Sequence, residues 1–413
     1  MPDRHFPVYP NLRQLKRQAK TLLRDVRRGE PAALAEFRSN HPKPPEPATT
    51  ILADAQLALA RSYGITSWPR LVQACRMTAA ICQDDIGTVR DLVVRHPALL
   101  REDARGVKGN WGPPMSYAAN LGRDRIIRLL RDLGADDVQF AFERACLQGE
   151  LDTARLLHSM GARPLRGSVM GPCETQNAEG LAFLLALGAE LCDEHGHHLA
   201  PAAMLLQGYG RNVDGKHRCL EILERHGIAL PDTPPMAIHR GRIDLLERHV
   251  QQNPALLSRT FSHDEIYPPA VGCDADHSLA LHGTPLDGAT LLHLCVDYDE
   301  VEMARWLLAR GANVNARAAL DTDGFGGHTP LFGCVVTQPL RQREDDDFAR
   351  LLLDHGADPN ARASLRKRLR FVEDETLHEY RDVTPLAWGW QFHDQSFVSK
   401  PALALIAGRG GRT

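Results

Sequence analysis

The sequence GATLLHLCVDYDEVEMARWLLARGANVN, residues 288–315, decides the fold of this chain. Thr290 and the three residues after it open a short helix, and the apolar residues between Val301 and Leu308 form one side of a second helix. Gly311 and Ala312 end that second helix. Similar Gly-Ala or Gly-Ile endings follow other helical stretches at positions 134, 161, 188, 227 and 356. The chain is therefore predicted to repeat one pair of helices.

The turn, the T-x-L-H start, the paired helices and the G-A-x-x-N exit resemble the ankyrin repeat, which has a period of roughly 33 residues. Two further segments, RHPALL at 95–100 and QNPALL at 252–257, end a second helix with proline in place of glycine. We predict an all-α ankyrin-repeat solenoid of about nine repeats at residues 75–407. It is preceded by a small helical module at 1–74 and followed by a disordered tail at 408–413.

The composition agrees with stacked helices and limits the classes of partner. Apolar residues make up 43% of the 413 residues and aromatic residues only 6%, which is typical of packed helices. The charges nearly balance, with 49 basic and 52 acidic residues, so a general polyanion binder is not predicted. The nine cysteines contain no C-x-x-C pair, and no stretch reaches the roughly 18 apolar residues of a membrane span. We predict a cytoplasmic protein.

The N-terminal segments LRQLKRQAKTLLR and ADAQLALARSYGITSWPRL resemble the helical module of a group of bacterial ankyrin-repeat proteins. Four segments further along the chain resemble the same group: TPPMAIHRGRIDLLE, EIYPPAVGC, HGTPL and DGFGGHTPLF. The resemblance implies an ankyrin fold with an N-terminal cap or docking piece, and it implies no particular reaction. The basic side of the first helix, near residues 11–28, is interpreted as a solvated surface, with nucleic acid or anionic lipid as the weaker alternative.

Long insertions separate some of the repeats. They cover residues 191–214, 258–287, 316–327 together with 337–346, and 362–382. Insertions in this fold collect in the fingers that connect successive repeats. Loops of such length are uncommon without a role of their own, so any specific function is predicted there.

The insertion at 258–287 and its neighbours contain the residues that could carry chemistry. Imidazoles and carboxylates can bind a metal or transfer protons, although their spacing matches no known metal motif. The candidates for such chemistry are His263, Glu265, Asp276, His277, His282, Asp323 and His328. A solvated or structural role is the competing interpretation, and for His293, which occupies the histidine position of T-x-L-H, a structural role is favoured.

A groove along the fingers and first helices is the other kind of site that the repeats predict. Its candidate lining residues are Trp111, Tyr117, Tyr267, His282, Asp297, Asp299, Asp323, Phe325, Trp388 and Trp390. Trp388 and Trp390 could equally seal the last core. The basic run LRKRLR at 365–370 is followed by three acidic residues, so neutralisation within the loop is favoured over nucleic-acid binding.

The leading hypothesis is an interaction protein that binds a protein partner through the concave face of fingers and first helices. The alternative is a small-molecule or metal-binding protein, or an unusual enzyme, with a His/Asp/Glu site built from the insertions around 258–287 and 316–328. No P-loop, dinucleotide-binding or nucleophile-elbow motif is present. Catalysis is therefore the less favoured reading, no cofactor or metal is predicted, and nucleic acid and membrane are not expected partners.

Overall fold

The structure is a computed structural model, and it describes residues 4, 6–7, 10–339 and 346–413. The chain divides into two compact units, Met1–Pro164 and Leu165–Thr413. The first unit contains the helices α1 (Leu12–Arg27), α2 (Pro31–Asn40), α3 (Leu52–Ser62), α4 (Trp68–Cys82), α5 (Ile86–Arg95), α6 (Pro114–Ala119), α7 (Asp124–Asp132), α8 (Val138–Gln148) and α9 (Leu151–Ser159).

The second unit is also mostly helical. Its helices are α10 (Met170–Glu174), α11 (Ala178–Ala186), α12 (Ala200–Gln207), α13 (Val213–Arg225), α14 (Pro234–His239), α15 (Ile243–Gln252), α16 (His263–Ile266), α17 (Leu291–Tyr298), α18 (Val301–Ala309), α19 (Pro330–Val335), α20 (Asp347–Asp354), α21 (Pro385–Gln391) and α22 (Lys400–Gly408). The prediction of a mostly helical protein is confirmed.

The unit also contains short strands, which the all-α prediction did not include. Strand β1 (Thr260–Phe261) pairs with β2 (Ala289–Thr290), and β3 (Ala363–Lys367) pairs with β4 (His378–Val383), each antiparallel. The strands lie in or beside two of the insertions. Pairing satisfies the backbone donors and acceptors of these extended segments.

The N-terminal helices have a core of their own. Asn11 caps α1 by accepting from the amides of Arg13 and Gln14, and the buried face of α1 consists of Leu15, Ala19, Leu22 and Val26. These side chains pack in one cluster with residues of α2, α3 and α4 as far as Cys75. The predicted boundary at residue 74 lies within α4, which continues to Cys82.

In the second unit, successive helix pairs stack as the repeat period predicts. Helix α14 packs against α15 and α17, α17 against α18 and α19, and α19 against α20 and α21. Gly311 ends α18 with φ of +87°, a left-handed conformation that costs glycine little. The two PALL segments, Pro97–Leu100 and Pro254–Leu257, both form 3-10 turns directly after a second helix.

His293 connects one repeat to the next, as predicted for the T-x-L-H histidine. Its Nδ1 accepts from the amide and hydroxyl of Thr290, and its Nε2 donates to the carbonyl of His328, 3.1 Å away. His328 in turn donates from Nε2 to the carbonyl of Pro285 at 3.0 Å. Burial lowers the pKa of His293 to about 3 and the pKa of His328 to about 4. Both rings are therefore uncharged at neutral pH, and their hydrogen bonds link residues that are distant in sequence.

The C-terminal residues differ from the prediction of a disordered tail. After α22, the amide of Arg412 donates to the side-chain oxygen of Asn360 at 2.8 Å. Gly411 donates to the carbonyl of Ile406 at 2.9 Å. The hydroxyl of Thr384 donates to the carbonyl of Arg412. These contacts order the chain end against the last repeat. They were not predicted because their partners lie far from the tail in sequence.

Candidate functional site

Three of the insertions meet in the second unit. We call residues 258–287 finger A, residues 316–327 finger B and residues 362–382 finger C. Together with His328 and Gly288 they enclose a cleft of about 830 Å³, here called the insertion cleft. Its lining is Thr260, Phe261, Ser262, His263, Glu265, Asp276, His277, Ser278, His282, Pro285, Leu286, Asp287, Gly288, Ala319, Leu320, Asp321, Phe325, Gly326, His328, Leu365, Arg366, Lys367, Arg368 and Leu377.

Main-chain hydrogen bonds hold the fingers side by side. The amide of Ala319 in finger B donates to the carbonyl of Gly288 at 2.8 Å, immediately after finger A. The amide of Gly326 in finger B donates to the carbonyl of Ser364 in finger C at 2.7 Å. Each finger therefore contacts the next through backbone groups. The remaining part of the predicted insertion at 337–346 includes residues 340–345, which lie outside the described residues.

The folding of finger B requires glycine at residue 326, where two parts of the finger approach each other closely. Gly326 has φ of +118°, and a Cβ there would overlap the carbonyl oxygen of Ala319. Gly324, two residues earlier, has φ of +81° with no heavy atom within 4 Å of a built Cβ. We predict that Gly324→Ala costs about 1 kcal/mol through backbone strain alone. Gly326→Ala should cost about 2 kcal/mol more through overlap, as measured by urea unfolding. Equal losses would contradict the close approach.

His263 and His277 form a stacked pair on the finger A side of the cleft. Their ring centroids are 4.1 Å apart with an interplanar angle of 7°. Nε2 of His263 bonds to the carbonyl of Asp274 at 2.9 Å, so the ring is held in place by the backbone of its own finger. His263 is buried and His277 is exposed. The pair forms one wall of the cleft.

The candidate carboxylates mostly serve the fingers themselves. Glu265 accepts from the backbone amide of Ser262 at 3.0 Å and pairs with Arg259. Asp276 accepts from the amide of Ser278 at 2.9 Å. Asp323 lies outside the cleft lining, and its carboxylate pairs with Arg366 at 3.0 Å. These groups have local partners, which explains their positions without a ligand.

His328 lies at the cleft with one ring nitrogen unused. Its Nε2 is bonded to Pro285, whereas its buried Nδ1 has no hydrogen-bond partner among the described residues. Within those residues, no group of three or more His, Cys, Asp or Glu side chains could hold a metal ion. The cleft brings His263, Glu265, Asp276, His277, His282 and His328 together without forming a metal-ligand geometry.

The sequence patterns did not single out Lys367, which the structure places at the cleft beside His282. Lys367 is 6% exposed, and its Nζ lies 3.0 Å from Nδ1 of His282, which is also 6% exposed. Desolvation lowers the pKa of Lys367 to about 7 and the pKa of His282 well below its usual value. The side chains of a strand alternate between its two faces, and Ala363, Leu365 and Lys367 lie on the buried face of β3. This alternation could have identified Lys367 from the sequence. The basic run therefore contains an inward-facing lysine.

Several predicted lining residues are buried and structural instead. Asp297 is 1% exposed and its carboxylate pairs with Arg211 at 2.9 Å, while its other oxygen accepts from the amide of Gly283 at 3.0 Å. Tyr267 is 1% exposed, and its hydroxyl bonds to that of Tyr298 at 2.7 Å. Neither can line a groove, because each is covered by residues from other parts of the second unit.

The remaining predicted residues are scattered. In the first unit, Tyr117 is fully buried and Trp111 packs on it with ring centroids 5.2 Å apart. Trp388 is fully buried and stacks edge-on against Tyr380, so it seals the last core, whereas Trp390 is 63% exposed. Asp299 lies in a separate pocket of about 390 Å³. Of the predicted groove residues, His282 and Phe325 line the insertion cleft.

No described helix has the length and apolar character that crossing a membrane demands. A comparison with protein-family models matches residues 237–363 to ankyrin repeats in three copies. The comparison with curated proteins gave no match.

Among solved structures, the chain is similar to the ankyrin repeat domain of human ASB11, at 17% identity and a TM-score of 0.22, covering 73% of this chain and 99% of that one. It is also similar to an ankyrin repeat domain from Acinetobacter baumannii AYE, at 18% identity and a TM-score of 0.30, covering 41% of this chain and 94% of that one.

Proposed function

We propose that this chain is a binding protein whose ankyrin repeats hold an extended segment of a protein partner in the insertion cleft. Ankyrin repeats at 237–363 support this function, because repeats of this kind are generally protein-interaction modules. All three fingers precede the first helix of a repeat, at α17, α19 and α21. The proposed surface is therefore the face of fingers and first helices, which carries the partners of repeat proteins.

The observation that carries the proposal is the apolar rim of the cleft. Leu320 of finger B is 66% exposed, and Leu377 of finger C is 49% exposed, and both line the cleft. Phe371 of finger C is 75% exposed beside an adjoining pocket. Large apolar side chains gathered around a concave surface favour a binding site, whereas scattered ones do not.

The shape of the site favours an extended peptide. The adjoining pocket has a volume of about 330 Å³ and shares Ser278, His282, Lys367 and Arg368 with the insertion cleft. The two pockets therefore adjoin, with Leu320 and Leu377 lining the first and Phe371 lining the second. A peptide strand can place alternate side chains in adjoining pockets.

The cytoplasm is the proposed compartment. All nine cysteines are free thiols, and eight of them are buried. Disulfides are rare in the reducing cytosol and common outside it, so this cysteine usage favours a cytosolic protein.

The test is selection of peptides from a displayed random library on the intact protein. We expect the double variant Leu320→Ser, Leu377→Ser to bind a selected peptide about tenfold or more weakly, because each leucine loses apolar contact with it. Fluorescence anisotropy measures the affinity. Leu165→Ser is the matched control, since Leu165 is 52% exposed in the same unit and lies outside the cleft lining. Selection of no peptide, or unchanged binding by the double variant, would refute the proposal.

A further inference from the structure

Lys367 is a buried amine whose nearest acceptor is a histidine ring nitrogen. An ammonium group has three hydrogens to donate, and Nδ1 of His282 receives one of them at 3.0 Å. Among the described residues, no carboxylate lies within 4.0 Å of this ammonium, nor does any other hydrogen-bond acceptor pair with it. A buried charge without an ion partner is costly. The site therefore has unused capacity for an anion.

Four carboxylates of fingers A and B have other partners. Asp321 and Asp323 both pair with Arg366, at 2.7 and 3.0 Å. Asp287 accepts from the amide of His263 at 2.8 Å, and Glu265 pairs with Arg259. None of these four carboxylates can pair with Lys367 without breaking the contact that it makes here.

His282 supplies a second donor at the same place. If Lys367 donates to Nδ1, the ring hydrogen of His282 resides on Nε2, which has no hydrogen bond among the described residues. Both residues line the insertion cleft and the adjoining pocket. Arg368, also shared by the two pockets, is exposed and forms no ion pair within the described part of the chain. Three donors therefore lie where the pockets join.

We infer that Lys367 and His282 form a carboxylate-binding site, which receives an acidic side chain or the terminal carboxylate of the bound peptide. This rests on the proposed function, since it assigns the group that the cleft recognises. A singly charged carboxylate suits the site better than a phosphate, because Asp276, Asp287 and Asp321 line the same cleft and repel a dianion more strongly. An ammonium and an N–H donor can bond the two carboxylate oxygens.

Protonation of Lys367 couples binding to pH. The charged and titratable groups that act on Lys367 or on His282 come from several elements of the second unit: Arg211, Asp297, His263, His277 and His393. Desolvation holds the pKa of free Lys367 near 7, and a bound carboxylate favours its ammonium form. We expect affinity for an acidic peptide to fall about tenfold per pH unit above pH 7. A merely structural lysine would give no such dependence.

The experiment compares a selected peptide with its Glu→Gln or Asp→Asn analogue and with its C-terminal amide. On the wild-type protein, we expect one of these changes to weaken binding about tenfold or more. The Lys367→Met variant should bind the original peptide more weakly by the same factor. It should also show neither the preference for the carboxylate nor the pH dependence. Lys20→Met, a change at an exposed lysine of α1, is the control and should retain all three. Equal binding of every analogue by the wild type overturns the inference and leaves the proposed function standing.

If no peptide is selected, an NMR titration with acetate tests the carboxylate-binding site separately from the proposed function. The chain has seven lysines, so the ¹³Cε resonance of Lys367 can be assigned by its loss in Lys367→Met. Addition of acetate should shift this resonance and raise its titration midpoint. No shift with acetate would overturn the carboxylate site. Tighter binding of inorganic phosphate than of acetate would also overturn it.

Discussion

Lowering the pH from 7 to 5 is expected to destabilise the second unit by on the order of 4 kcal/mol, since the buried rings of His293 and His328 cannot accept a proton while folded. Desolvation lowers the pKa of His293 to about 3 and of His328 to about 4, and it lowers the pKa of His239 and His282 well below the usual value. In the unfolded chain each titrates near 6.5.

The sign follows from the proton balance. Below pH 6.5 the unfolded state binds protons that the folded state does not, so stability is present above the unfolded pKa and is lost as pH falls. His293 and His328 each contribute about 2 kcal/mol between pH 7 and 5, and His239 and His282 act in the same direction. This loss is a large part of the stability of an ordinary domain. The exposed carboxylates Asp244 and Asp374, whose side-chain hydrogen bonds lower the pKa of each to about 2, titrate below this window.

Urea unfolding at several pH values measures this loss. Replacing His293 by Gln should reduce the slope of stability against pH by about one proton between pH 6 and 5. His195→Gln is the control, because His195 is exposed and its replacement should leave the slope unchanged. A stability that is flat between pH 7 and 5 would show that these rings are protonated in the folded protein.

Replacing Asp297 by Ala is expected to destabilise the second unit by about 3–5 kcal/mol, because Arg211 would keep a buried charge without its partner. The side chains of Arg211 and Asp297 are 0% and 1% exposed. The guanidinium also donates to the carbonyls of Gly208, Gly210, Leu281 and Asp297. The pair therefore ties the insertion at 191–214 to finger A and to α17.

Thermal unfolding in parallel with urea unfolding measures this change. The double variant Arg211→Met, Asp297→Leu should lose less stability than Asp297→Ala, since no charge remains buried. Glu247→Ala breaks the exposed pair with Arg310, 2.7 Å apart, and serves as the control, with an expected loss under about 1 kcal/mol. If Asp297→Ala behaved like this control, the pair would contribute little to the fold.

The local sequence determined the helices and their repeat. The spacing of apolar residues in 288–315 comes from neighbours three and four positions apart, and α17 and α18 follow it closely. His293 was placed correctly because its partners, Thr290 and the next repeat, are fixed by the same period. The insertions were predicted from interruptions of the same period.

The tertiary structure alone decided which inserted residues are exposed and which meet. Asp297 and Tyr267 were predicted to line a groove, but Arg211, 86 residues before Asp297, and Tyr298 cover them. Lys367 belongs to a basic run that was predicted to be neutralised within its own loop, but it faces inward to His282, 85 residues away. Local patterns record which side of a helix or strand is apolar. They do not record which distant loop packs on it, because that depends on how the stacked repeats bring the fingers together.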